Sequence, residues 1–467
     1  MKKKRVILWF RNDLRLHDNE ALNDALNSSE EVYPIYVFDP RIFDSTTSYG
    51  FPKTGLKRIQ FVLDAVKDLK ERLRELGSDL IIRLGHPEEV LFDLAHQLGT
   101  SWVFCNRERT AEEVKVQDTL EKRLWTIGQE MRYSRGKMLF YTADLPFPVT
   151  HTPDSFNQFR KETDKLVNIR EPLDAPEHMP PFSDQISCGA VPTIADLTTQ
   201  NDSSESYQPI LVGGESNGLE RLKHIAEEVN TITHCHTSSL TGLSPYLSQG
   251  CLSPKLVYQC LYKASIEDNS RSSNEFFECV YEHLLWRDFL RLMAKKHGNH
   301  IFKPGGMADQ PRDNWVEDVT VFNIWANGQT GFPLVDAGIK ELLNTGLLSL
   351  GLRRAVASFL VDELNIHWLM GAEFFESNLI DYDPCSNYGN WNYIAKITND
   401  HKDLRYISPS GLAMKLDPKA DYIVKWCPAL ERIPKDFHHQ PYLLSPEQQQ
   451  SLDFTLGKDF PKACIPT

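Results

Sequence analysis

Gln329-Thr-Gly-Phe-Pro-Leu-Val-Asp-Ala-Gly338 opens the stretch that decides the fold, and Gly389-Asn-Trp-Asn-Tyr-Ile-Ala395 closes it. Between them apolar side chains return at helical spacing. Leu334, Val335, Ile339, Leu342 and Leu343 mark one helix, with Gly346 as its expected C-cap. Val356, Phe359, Leu360 and Leu364 mark a second, with Arg353 and Arg354 near its start. A third is predicted through Ala372–Ile380. Asp381-Tyr-Asp-Pro-Cys-Ser-Asn-Tyr-Gly-Asn-Trp391 follows, acidic and full of turn signals. A cation and carboxylates set among apolar helices need partners, because an unpaired buried charge is costly. Two readings stay open: a structural ion pair of Arg353 with Asp381 or Asp383, or a ligand site built on these groups.

Upstream the pattern changes. Val6-Ile-Leu-Trp-Phe10 is a short continuous apolar run, as in a strand buried on both faces. Val32–Phe38, Leu80–Leu84 and Trp102–Phe104 repeat it. Between them Ile59, Val62, Val66, Leu69, Leu73 and Leu76 trace an amphipathic helix that Gly77 closes. Strands alternating with helices predict an α/β N-terminal domain with a doubly wound parallel sheet, over 1–145. Such sheets bind ligands beyond the carboxyl ends of their strands. No Gly-x-Gly-x-x-Gly follows the first strand, so a dinucleotide-binding half is unsupported. Residues 146–215 are polar and studded with proline, and read as an interdomain connector. The remainder, 216–467, reads as all-α. In it, Leu243-Ser-Pro-Tyr-Leu-Ser-Gln-Gly-Cys-Leu-Ser-Pro254 offers N-caps at Ser244 and Ser253. Free amides at the same helix starts could instead hold an anion.

Bulk composition bounds the rest. The chain has 467 residues, 41% hydrophobic and 25% charged, which fits two globular domains. A net charge of −13 argues against avid, non-specific binding to a polyanion. The nine cysteines form no Cys-x-x-Cys pair, so a reducing compartment without a disulfide framework is expected. His234-Cys-His236 lacks a second ligand pair for a metal. The basic start Met1–Arg5 is followed by an apolar run too short for a signal peptide, and no stretch is long enough to span a bilayer. We expect a cytoplasmic monomer with no membrane association; nothing in the sequence points to a protein partner.

Thr330-Gly-Phe-Pro-Leu-Val-Asp-Ala337, Ala357-Ser-Phe-Leu-Val361, Trp368-Leu-Met-Gly-Ala-Glu-Phe-Phe375 and the Asp381–Trp391 run resemble the flavin-binding half of the photolyase/cryptochrome family. The last is especially similar to the DASH branch. Arg11-Asn-Asp-Leu-Arg-Leu-His-Asp18 is similar to the loop after the first strand of the family's N-terminal domain. The resemblance implies that the all-α region is an FAD-binding domain. It implies that Thr241, Gly242, Leu243, Ser244 and Arg287 line the FAD diphosphate, although the family's upstream tyrosine is not recognisable in 227–236. Arg353 would pair with Asp381 over the isoalloxazine ring, with Asp383 on the ribityl–pyrimidine side and Asn387 facing flavin N5. Trp391, Trp368 and Trp315 fall on the family's three relay tryptophans. Trp286 and Tyr393 would line a substrate cavity, although a helical tryptophan is more often core. Glu113 falls near the family's pterin-contacting glutamate, which implies a 5,10-methenyltetrahydrofolate antenna; an exposed helix-face carboxylate is the other reading.

The chain departs from the family on one pocket wall. His283 stands where repair enzymes carry a glutamate. Leu350 and Gly351 replace an asparagine and an arginine, Arg354 stands in for a methionine or glutamine, and Ala395-Lys-Ile-Thr-Asn-Asp400 replaces Ala-Gly-Val-Gly-Asn-Asp. Imidazole for carboxyl changes donor strength and makes charge pH-dependent. His283 reads as a proton donor or sensor, or as a satisfied cavity histidine. Three functions follow from the resemblance. The first is a blue-light flavoprotein with light-driven electron transfer and weakened or lost dimer repair. The second is a deoxyribodipyrimidine photolyase on single-stranded DNA, where base flipping breaks no pair. The third is a light-independent redox flavoprotein. Single-stranded DNA, weakly bound, is the expected nucleic-acid partner.

Overall fold

The computed structural model describes residues 4–180, 186–200, 210–231, 242–310, 315–400 and 408–466. Thr241 and His234–His236 lie outside them. Contacts divide the chain into two units. The first comprises Met1–Thr233, Thr241–Asn299 and Ile380–Ser386; the second comprises His234–Leu240, His300–Leu379 and Asn387–Thr467.

The first unit carries a five-stranded sheet in the order β3-β2-β1-β4-β5. Its strands are β1 (Arg5–Phe10), β2 (Glu31–Phe38), β3 (Ile81–Leu84), β4 (Trp102–Asn106) and β5 (Glu130–Ser134), all parallel. β1 lies at the centre, with Val6 opposite both Val32 and Trp102, and is buried from Val6 to Phe10. The doubly wound parallel sheet expected from the apolar runs is therefore present. β5 was not anticipated. It is an edge strand whose Glu130 and Arg132 face solvent, so it lacks the continuous apolar run that marks the others. The helix Leu56–Glu75 buries Ile59, Val62, Val66, Leu69 and Leu73, and Gly77 follows its end with φ +87°. Short helices Phe156–Leu166 and Ile194–Leu197 interrupt the stretch read as connector.

The strand order reverses between β1 and β4, which opens a crevice beyond their carboxyl ends. The loop after β1 turns there and is latched by buried polar groups. The Arg15 guanidinium donates to the carbonyls of His17, Asp18, Gly136 and Gly250. Glu215 is fully buried; it accepts from the Leu16 and His17 amides, meets the His17 ring and pairs with Arg72. The helix Pro254–Asp268 begins as expected, with Ser253 as cap and Pro254 at its first position. Ser244 is not the cap of the preceding helix. It is the first helical residue of Ser244–Ser248, after Leu243 in a helical conformation, because Pro245 favours an early start and needs no amide partner.

In the second unit, Pro333–Thr345 ends at Gly346 with φ +71°, as the periodicity predicted. Leu350–Ser358 continues into a wider turn over Phe359–Glu363. The next helix is Trp368–Asn378, starting earlier than Ala372 because the His367 ring caps it, Nδ1 accepting from the Leu369 amide at 3.1 Å. The Asp381–Trp391 run is not a chain of turns. Pro384–Ile394 is a helix. Asp383 accepts from the Ser386 amide and hydroxyl at 2.9 and 2.8 Å, which is N-capping geometry, and Pro384 sits at the first position. The capping overrides the turn propensities of Asn387, Gly389 and Asn390.

Cys105, Cys188, Cys251, Cys260, Cys385, Cys427 and Cys464 carry free thiols. Cys279 does not: it is buried and disulfide-bonded, against the expectation of no disulfide framework. Among the described residues no His/Cys/Asp/Glu cluster could hold a metal, and no helix is long and apolar enough to cross a membrane.

At Gly250, φ is +69°, and an added Cβ would lie 2.2 Å from the Asn12 carbonyl oxygen. Gly250→Ala should therefore destabilise the fold by about 1–3 kcal/mol. The check is the urea unfolding midpoint, which should fall clearly below that of the parent chain.

Candidate functional site

In the first unit the long helix Arg271–His297 carries the charged residues. Arg287 donates to the Lys137 carbonyl at 2.8 Å and to the Leu247 carbonyl at 3.1 Å. Burial and the neighbouring Arg291 cation push its pKa down to about 10. Arg291, one turn on, makes a buried ion pair with Asp383 at 2.5 Å. Burial pushes Asp383 up, but Arg291, Arg287 and the bonds from Ser386 outweigh it and hold the carboxyl below its usual range. The Nε of Arg291 is buried with no hydrogen-bond partner among the described residues. Sequence reasoning missed Arg291. The signal was its spacing, four residues beyond Arg287 on one helical face. Asp288 accepts from the Leu139 and Phe140 amides, and burial raises it to about 6. Asp381 is also buried in this unit, and Tyr382 stacks under the Arg58 guanidinium at 4.8 Å.

Gly242 and Leu243 lie just before the Ser244–Ser248 helix, Gly242 with φ +58°. His283 and Trp286 are half-buried on the long helix. Trp286 packs edge-on against Phe156 at 5.0 Å and beside Phe289 at 5.5 Å, so part of the ring does serve the core. Glu113 closes a capping box: its carboxylate accepts from the Thr110 hydroxyl and amide at 2.6 and 3.2 Å. Burial and the Glu108 charge raise its pKa. Arg107, Arg109, Arg135 and Lys295 crowd one another: burial, then these like charges, lowers Lys295. They come from separate segments, so no sequence motif announced them.

In the second unit Trp368 and Trp391 are fully buried, at 0% and 1% exposure, and Trp315 is partly exposed. Trp391 packs against Phe375 at 5.2 Å and against Gly371, where an added Cβ would fall 2.3 Å from its Cη2. Only glycine lets the indole approach the Trp368–Asn378 helix so closely. Trp368 donates to the Pro304 carbonyl at 3.2 Å. His367 touches both outer indoles: its ring is 5.6 Å from Trp315 and stacked 6.3 Å from Trp368. A parallel bridge between Val316 and Ile366 keeps it there, with the His367 amide bonded to the Val316 carbonyl. Burial lowers the pKa of His367, with Glu317 opposing, so the ring stays neutral between the indoles. Asn387 is fixed by a bond from Nδ2 to the Ala372 carbonyl at 2.9 Å. Arg353 donates from Nε to the Leu348 carbonyl at 2.8 Å. Leu350 and Gly351 form the first turn of their helix behind the Ser349 cap, Arg354 is exposed and Tyr393 half-buried.

The family model described as "FAD binding domain of DNA photolyase" matches residues 280–467, and that described as "DNA photolyase" matches residues 6–178. This chain belongs to the photolyase/cryptochrome family. It is 40% identical to "Cryptochrome DASH" of Synechocystis sp., over 98% of this chain and 95% of that protein. It is 38% identical to "Cryptochrome DASH, chloroplastic/mitochondrial" of Arabidopsis thaliana, over 93% and 78%. The crystal structure of Synechocystis cryptochrome superposes with a TM-score of 0.92 at 38% identity, covering 100% of this chain and 98% of that one. The photolyase fold and the FAD-binding domain expected from the sequence are therefore both present in this flavoprotein.

The Asp383→Asn variant leaves the Arg291 guanidinium buried beside a neutral amide. It should lose about 3–5 kcal/mol of stability. Because the folded carboxyl lies below its unfolded value of about 4, its stabilisation is complete above that pH. It is lost as pH falls through the depressed folded value. Urea unfolding across the acid range should show this slope in the parent chain and a shallower one in Asp383→Asn.

Proposed function

We propose that this family member is a blue-light flavoprotein of the DASH-like cryptochrome type, working as a photoreceptor or redox protein, with repair of pyrimidine dimers weakened or lost. The observation that carries the reading is the array of rings from buried Trp368 through His367 to partly exposed Trp315, with Trp391 seated on Gly371 one turn along the same helix. When bound, FAD supplies the photo-oxidant. Trp391, Trp368 and Trp315 would be the electron donors, passing the deficit outward. A neutral His367 adds no positive charge that would make either neighbouring indole harder to oxidise.

The donor set fits the cofactor. Arg291 presents a buried N–H with no partner among the described residues, and half-buried Arg287 a second cation, as an anionic diphosphate requires. By the family match Thr241, Gly242, Leu243 and Ser244 would hold the same group. By the same match Arg353, Asp381, Asp383 and Asn387 would hold the flavin ring system, with the Asn387 amide already fixed through Ala372. A methenyltetrahydrofolate antenna at Glu113 would find cations for its glutamate carboxylates in Arg109 and Lys295. Leu350 and Gly351 provide none of the polar side-chain contacts that grip a lesion. His283 would serve as a proton donor or sensor. With a charge of −13, the chain meets single-stranded DNA weakly. A cytoplasmic monomer is the state we assign.

A second reading, a photolyase acting on single-stranded DNA, is favoured by the half-exposed rings of Trp286 and Tyr393, on which a flipped base could stack. Blue light with an external reductant should bleach the oxidised-flavin spectrum, and Trp391→Phe should slow bleaching by an order of magnitude or more. A light-independent flavoprotein would show neither effect. Irradiated single-stranded oligonucleotide carrying thymine dimers should regain little absorbance; full recovery establishes the photolyase reading instead. His283→Glu should then raise repair above that of the parent chain.

A further inference from the structure

Trp368 has an oxidisable neighbour. The Tyr388 ring meets it edge-on, with centroids 6.3 Å apart and planes at 81°. The Tyr388 hydroxyl donates to Glu376 Oε2 at 2.8 Å. Both residues are buried, Tyr388 at 7% and Glu376 at 4% exposure. The helices Trp368–Asn378 and Pro384–Ile394 hold the three side chains, and Phe302 packs on Tyr388 at 4.7 Å. We propose that Tyr388, with Glu376 as its proton acceptor, is a further electron donor that branches from the relay at Trp368. The inference rests on the relay reading above.

A phenol gives up an electron readily only if its proton leaves at the same time, so it needs a base within hydrogen-bond reach. Glu376 is that base. One electron passes from Tyr388 to the Trp368 radical cation, the species the relay creates. The phenolic O–H bond breaks and its proton crosses the hydrogen bond to the Glu376 carboxylate. The products are neutral Trp368, a neutral Tyr388 phenoxyl radical and a protonated Glu376. A buried cation and a buried carboxylate are both replaced by neutral groups, which suits a medium where isolated charge is costly. Return of the electron would require the proton to return as well, so the oxidising equivalent is held. Phe302, which touches Tyr388, offers no comparable donor. In this scheme Trp368 is a branch point, with one route through His367 to Trp315 and one that ends inside at Tyr388.

The test is EPR of the radical trapped after oxidation, made in two ways. The flavin-loaded protein is illuminated and frozen. Separately, the protein is oxidised by a soluble ruthenium(II) polypyridyl photosensitiser with persulfate, which does not require flavin. In both, the parent chain should yield a neutral tyrosyl signal that Tyr388→Phe loses, leaving a tryptophanyl signal. Glu376→Gln keeps the phenol but weakens the base, so the tyrosyl yield should fall several-fold and a solvent deuterium effect should disappear. If flavin bleaching depends on Trp391 while Tyr388→Phe leaves the radical unchanged, this inference is overturned and the relay reading stands. If bleaching does not depend on Trp391, the relay reading falls, and the ruthenium experiment still decides whether Tyr388 and Glu376 act together.

Discussion

The ion pair between Arg291 and Asp383 is the constraint on which the functional helices depend. Asp383 does two things at once. Its Oδ2 takes the buried guanidinium, and its Oδ1 caps the start of Pro384–Ile394. That helix carries Asn387, Tyr388 and Trp391 further along its length. Burial pushes the aspartate toward its neutral form; the two arginines and the Ser386 bonds outweigh it and hold its pKa below the usual value. A neutral side chain at 383 would lose both the pairing and the stronger, charge-assisted cap.

Much of the architecture was legible because the patterns are strong. Four strands could be read from continuous apolar runs, and β5 could not, because an edge strand buries only part of its side chains. The helix over Pro333–Thr345 was legible from its spacing and from Gly346. The helix over Pro384–Ile394 was not, because asparagines and glycines within it signal turns. The relevant signal was the shorter one of Asp383, Pro384 and Ser386 at cap, first and third positions. His367 hid the start of its helix for a related reason: histidine is not among the residues expected to cap.

The site was legible only in part, and the reason is geometric. The residues that matched family motifs are contiguous in sequence and could be named from it. The groups that hold them are not. Arg291 lies outside the Trp-Arg-Asp match, Gly371 looks like an ordinary small residue, and the cations Arg107, Arg109, Arg135 and Lys295 meet only after folding. Motif reading finds side chains that present chemistry and misses those that set distance, charge and rotamer.

The ring contacts also bear on why the interior is built so tightly around the tryptophans. Gly371 brings the Trp391 ring onto the helix backbone, and a methyl group there would force the indole away. Packing contact falls off over fractions of an ångström, so the space a glycine leaves fixes where the Trp391 ring lies. His367 works in the opposite sense, filling the gap between Trp315 and Trp368 with a flat ring that burial keeps uncharged. A protonated imidazole there would put a positive charge beside both indoles and oppose loss of an electron from either. It would also break the Nδ1 cap on which the Trp368–Asn378 helix starts. The same cap therefore supports both the start of the helix that carries Trp368 and the neutral state of the ring beside Trp315.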